Sequence, residues 1–299
     1  MNYLSVFTSS LPGACAQGLA WGIMALGVYI TFRILNTSDL TVDGSLATGG
    51  SVCIALMTSG VNVGVAMLAA VASGILAGLI TGLLHTKCGI PAILAGILTQ
   101  LSLYSINLRI MGNRANLPIS VDKYKLLVSQ RYVRALNLKN PIPVFVILIA
   151  VIIAVLYWFF GTELGSSIRA TGNNVRMAKA QGINTDRNKV LGFCMANGLV
   201  ALSGALIAQY QGASDVNMGR GAIVIGLAAV IIGEVLFSKI FSNFSLKMLA
   251  VVIGAVIYYI VLQLVLTLGL NTNDLKLFSA LIVAIFLAIP YFKGGRKDA

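Results

Sequence analysis

Long uncharged apolar blocks follow one another along this chain, separated by short polar connections. A block of about 20 apolar residues lets a helix cross roughly 30 Å of hydrocarbon. Nine spans are predicted: Leu11–Ile34, Ser45–Ser59, Val61–His85, Gly89–Ile110, Ile142–Gly161, Val190–Gln211, Gly219–Phe237, Phe244–Leu268 and Leu275–Tyr291. The expected fold is an all-α polytopic membrane protein of about nine transmembrane helices, one membrane domain over residues 1–299.

The second span is short for a full crossing and follows the polar run NTSDLTVDGS. Irregular backbone at membrane depth is tolerated only where protein buries it or it lines a wet cavity, so a helix broken inside the bilayer is expected here. A similar tract recurs. Ser38-Asp39-Leu40-Thr41-Val42-Asp43-Gly44 follows one apolar run, and Ser214-Asp215-Val216-Asn217-Met218-Gly219 follows another. Both read Ser-Asp-aliphatic-polar-aliphatic with glycine close behind, and both open an apolar helix. If residues 11–110 form one repeat, 142–161 a linker span and 190–292 a second repeat, an odd number of crossings separates the repeats and they must be inverted. Inverted repeats whose broken helices meet near the midplane are a recurrent transporter architecture.

Composition agrees with a membrane protein: 58% of the residues are hydrophobic and 10% charged, against about 25% charged in soluble domains. Lys and Arg exceed Asp and Glu by 12. With connections too short for a nucleic-acid domain, that excess is read as setting orientation against anionic lipid, so no nucleic-acid partner is expected. Cys15, Cys53, Cys88 and Cys194 form no CxxC pair and read as apolar packing residues. The N-terminus lacks the basic stretch of a cleaved signal, so the first apolar block is expected to remain as a helix. The loop from Gly161 to Val190 carries Arg169, Arg176, Lys179, Arg187 and Lys189 and is placed in the cytoplasm, with Lys87, Lys239, Lys293, Arg296 and Lys297 on the same side. The Met111–Asn140 loop then lies outside although it is equally basic. Two readings stand for it: a dock for an acidic partner face, or a solvated loop.

Within residues 162–189, an asparagine at 173 or 174 is placed to cap a helix, Val175 to Gln181 favour helix, and Gly182 sits where a left-handed C′ residue belongs. Arg176 stands in the first turn, where the helix dipole disfavours a cation, which points to a role toward a partner or lipid. The segment also carries the order G-x-x-x-R-A-x-G-x-N-x-x-x-A-x-x-x-G-I as Gly165, Arg169, Ala170, Gly172, Asn174, Ala178, Gly182 and Ile183. It resembles the cytoplasmic signature of branched-chain-amino-acid and ribose type ABC importer permeases. LGVYITFRILNTSDLTVDGSLATGG is similar, more narrowly, to putative tryptophan or tyrosine ABC transporter permeases. The resemblance implies a multi-pass protein of the bacterial cell membrane that pairs with a second permease copy, cytoplasmic ATP-binding subunits and an external substrate-binding lipoprotein. Residues Gly165 to Ile183, with Arg176 among them, would then couple to the ATPase; the other reading of this helix is an amphipathic segment resting on headgroups.

The chain contains no GxxxxGK[ST] motif, so energy must come from a partner subunit or an ion gradient, and an ion-coupled secondary transporter is the alternative function. No catalytic residue, cofactor or metal is expected: His85 has no second ligand type beside it, and the spans hold no nucleophile and base pair. The expected substrate path comprises Asn36, Asp39, Thr41 and Asp43 from the first break and Gln209, Asp215 and Asn217 from the second, flanked by aromatics such as Phe32, Tyr29 and Tyr210. Ionisable groups at membrane depth are costly and usually functional. The same carboxylates also suit helix caps, or lie hydrated near an interface. Glu234 reads as a partner of Lys239 or part of an inner gate.

Overall fold

A computed structural model of the chain describes residues 3–133, 140–237, 240–241, 243–267, 277, 280–281 and 283–285. Helix α1 (Tyr3–Tyr29) continues through a π-helical turn (Ile30–Ile34) before the chain breaks at residues 35–40. Helices α2 (Thr41–Thr58), α3 (Val63–Thr86) and α4 (Ala92–Ile110) complete the first half. A long connection leads to α5 (Pro141–Gly161), which runs on into α6 (Glu163–Asn173) and α7 (Val175–Ala180). The second half comprises α8 (Thr185–Gln211), a second break at 212–221, α9 (Ala222–Phe237) and α10 (Phe244–Thr267).

Among the described residues, six helices are long and apolar enough to cross a membrane, while α9 has only 16 residues. The first eight expected spans all appear as helices. The ninth, Leu275–Tyr291, keeps only 277, 280–281 and 283–285 among the described residues, so the fold is established as a multi-span helical bundle without the number nine. Boundaries moved where a cap prevailed over hydropathy. Helix α8 starts at Thr185, five positions before the apolar run, because the Asn184 side chain accepts from the Arg187 amide.

The halves interlock. Helix α1 packs along α10 and α8 packs along α3, so each half's first helix lies against the other half's third. Gly74, Gly78 and Gly82 recur every fourth residue on α3, and a methyl group at Gly74 or Gly78 would overlap the α8 backbone at Asn197 or Phe193. Small residues at such spacing let membrane helices approach closely, where dispersion rather than water exclusion drives association. Elsewhere on α3, Leu68, Leu76 and Ile80 are exposed, as a lipid-facing surface requires.

The 111–140 connection is neither free nor merely solvated. Its strand β1 (Asn116–Pro118) pairs antiparallel with β2 (Ala213–Asp215), inside the second break. The Leu127 amide donates to Gln209 Oε1 at 3.0 Å, the Tyr124 hydroxyl to the Thr58 carbonyl at 3.3 Å, and Val128 and Val133 are buried. Its cations Arg114, Lys123, Lys125 and Arg131 are exposed; Arg134 and Lys139 lie outside the described residues.

Candidate functional site

The first break is sealed from within. Asn36 takes a left-handed φ of +52°, which asparagine tolerates better than most residues, and releases the chain from the π-helical turn. Asp39, 1% exposed, then uses both oxygens internally. Its Oδ1 accepts from the Thr41 amide at 2.9 Å, capping α2, and its Oδ2 accepts from Asn197 Nδ2 of α8 at 2.7 Å. Asn197 is fully enclosed and accepts in turn from Ser45 Oγ at 2.6 Å. The Thr41 hydroxyl joins a second buried chain, meeting Thr81 at 2.8 Å, which donates to Thr99 at 2.9 Å. Four helices are thus tied by hydrogen bonds around one break, each bond strengthened by the low dielectric and each costly to leave unmade.

The second break is held from outside. Asp43, in the first turn of α2, reaches across to the start of α9, where Oδ2 accepts from the Gly221 amide and Oδ1 from the Ile223 amide, both at 2.9 Å. A carboxylate at a helix N-terminus satisfies orphan amides and opposes the positive end of the dipole. Asp43 therefore caps the helix of the other half, where a cap on its own α2 was the local expectation. This brings the starts of α2 and α9 together; Gly219 packs on the Asp43 carbonyl with no room for a side chain. Asp215 is half-exposed and only turns the chain, accepting from the Asn217 amide at 2.7 Å, and Asn217 is exposed.

The other expected path residues scatter. Gln209 is fully buried and anchors the Leu127 amide and the Cys53 thiol. Tyr210 packs edge-on against Phe145 and borders a cavity of about 410 Å³ with Gln17 and Gln263. Phe32 packs against the hydrophobic core. Asn36 borders a cavity of about 610 Å³ shared with Arg33, Arg169, Gly172 and Lys247. Glu234 pairs with Arg33 of the first half at 2.8 Å, while Lys239 lies outside the described residues. His85 meets the Ile90 carbonyl at 2.8 Å and Lys189 at 3.3 Å, a local helix-end arrangement.

The expected short helix between α6 and α8 is present. Asn174 caps α7 by accepting from the Met177 amide at 3.1 Å. At its far end Gly182 has φ +77°, its amide donates to the Lys179 carbonyl, and the Ile183 amide donates to Ala178, which together form a Schellman motif. Ala178 is buried, whereas Arg176, Met177 and Lys179 face outward. Gly172 of α6 lies against the Ile34 carbonyl, and Gly165 against Phe159. Arg169 stands over the Phe244 ring and Ala170 lines the same cavity as Asn36. The signature thus builds an elbow seated where the first break begins.

Asn197 was not legible as a partner, because nothing in a 27-residue helix marks which polar residue faces a carboxylate 158 positions away.

The chain matches the model of the family described as branched-chain amino acid transport system, permease component, over residues 12–290. It is 40% identical over 280 residues to the tyrosine transport system permease protein of Clostridioides difficile (strain R20291), covering 94% of this chain and 91% of that protein. It is 28% identical over 213 residues to the ribose import permease protein of Escherichia coli (strain K12), covering 71% and 64%. Among solved structures it shares its fold with a chain of PsaBC from Streptococcus pneumoniae in complex with Fab, at a TM-score of 0.55 and 16% identity, over 96% of this chain and 95% of that one.

Proposed function

This chain belongs to the family of branched-chain amino acid transport system permease components, and we propose that it passes an amino acid, aromatic or branched-chain, through the membrane of an ATP-driven importer. It is an ABC transporter permease, a transport subunit and not itself an enzyme. In this reading two copies assemble with cytoplasmic ATP-binding subunits and receive solute from an external binding protein, within a bacterial cytoplasmic membrane. The tyrosine permease relative at 40% identity supports the amino-acid class.

The observation that carries the mechanism is the link made by Asp43, which joins the first-half break to the start of α9. Inverted halves whose broken helices meet are supported by this link and by the reciprocal packing of α1 on α10 and α8 on α3. The α6–α7 elbow, from Gly165 to Ile183, transmits ATPase motion to the bundle, because Gly172 rests on the carbonyl that ends the π-helical turn. The first break is the fixed pivot. The second, with its exposed face, meets the solute.

The test is uptake of radiolabelled L-tyrosine, L-tryptophan and L-leucine into proteoliposomes holding the permease, its ATP-binding subunit and its binding protein. Uptake should require ATP and persist without a sodium or proton gradient. Gradient-driven uptake by the permease alone would replace this reading with an ion-coupled transporter.

A further inference from the structure

A cavity of about 330 Å³ opens between α2, α4 and the second break, walled by Asp43, Gln100, Leu101, Tyr104, Asn107 and Arg220 among others. Such a volume is at the small end of ligand pockets, suited to a single amino acid rather than an oligomer. Two features mark it as unfinished. Asn107 is 1% exposed, yet neither its amide oxygen nor its amide nitrogen has a hydrogen-bond partner. A buried amide left so costs stability unless something else supplies partners. Arg220 is exposed and makes no ion pair among the described residues.

Resting on the amino-acid reading above, we propose that this cavity is where the permease itself holds its solute, and that it recognises a zwitterionic α-amino acid by charge at both ends. The Asp43 carboxylate receives the ammonium: each oxygen accepts one amide bond from the α9 end and retains a further lone pair. Because Asp43 already occupies the positive end of α9, the solute carboxylate needs another cation, and Arg220 supplies it with a guanidinium suited to carboxylate geometry. The Asn107 amide donates to one group and accepts from the other. Tyr104 and Leu101 wall the space left for the side chain.

The experiment uses the assembled complex in proteoliposomes and compares wild type with Arg220→Gln, Arg220→Lys and Asn107→Leu, reading tyrosine uptake, basal ATP hydrolysis and assembly. Asp43 is left intact because it also caps α9. Arg220→Gln and Asn107→Leu should each cut uptake at least about tenfold, the loss expected of one charge-assisted partner, with ATP hydrolysis and assembly unchanged. Arg220→Lys should recover part of the loss, which a purely structural role would not produce. Should Asn107→Leu fail to assemble, the two Arg220 variants decide. Wild-type tyrosine uptake in Arg220→Gln would overturn the site and leave the importer standing. A wild-type complex that moves ribose under ATP and no amino acid would overturn the amino-acid reading and, with it, the zwitterion site.

Discussion

The two breaks share a sequence pattern and differ in what holds them. At the first, Asp39 is enclosed and satisfied by Thr41 of the following helix and Asn197 of the other half. At the second, Asp215 is half-exposed and holds only its own turn, while an aspartate from the first half caps the helix and a strand from the 111–140 connection covers the backbone. The difference teaches that a repeated polar tract need not repeat a role. A break secured by fully buried bonds opens only with the fold, whereas one secured by half-buried bonds lies nearer the weakly held end of a structure, from which moving parts are drawn.

Substitutions should grade accordingly. Asn197→Leu removes the partner of an enclosed carboxylate and should cost about 3 kcal/mol or more, seen as a large loss of thermal stability in detergent. Asp43→Asn removes the charge and one of the two acceptors at the α9 cap, leaving the Gly221 or Ile223 amide against an Nδ2 donor, and should cost about 2 kcal/mol in the same assay. Asp215→Ala removes one half-exposed hydrogen bond and should cost about 0.5 kcal/mol. Arg131→Ala breaks an exposed 2.7 Å pair with Asp122, with side chains 60% and 79% exposed, and should change stability by at most about 0.5 kcal/mol. Equal losses for Asn197→Leu and Asp215→Ala would erase the distinction between the breaks.

Much of this was legible in the chain. Uncharged length announced the helices, and Asn174 and Gly182 announced both ends of α7, because spans and caps are written in neighbouring residues. The breaks were visible as polar interruptions. What joins them was not, since Asp43 meets Gly221 across 178 positions and Gln209 meets Leu127 across 82. The 111–140 connection was misleading for the same reason: its charges drew attention, while its structural work is done by a three-residue strand and buried valines. The π-helical turn gave no sign either, because Ile30–Ile34 continues the apolar run of α1.

The most direct test is hydrogen–deuterium exchange on the assembled complex, with and without ATP turnover, comparing peptides that span residues 39–46 and 217–225. The Thr41 amide held by Asp39 should stay slow in both conditions, while the Gly221 and Ile223 amides held by Asp43 should exchange faster during turnover. Faster exchange at Thr41, with Gly221 and Ile223 unchanged, would contradict a fixed first break and a working second one.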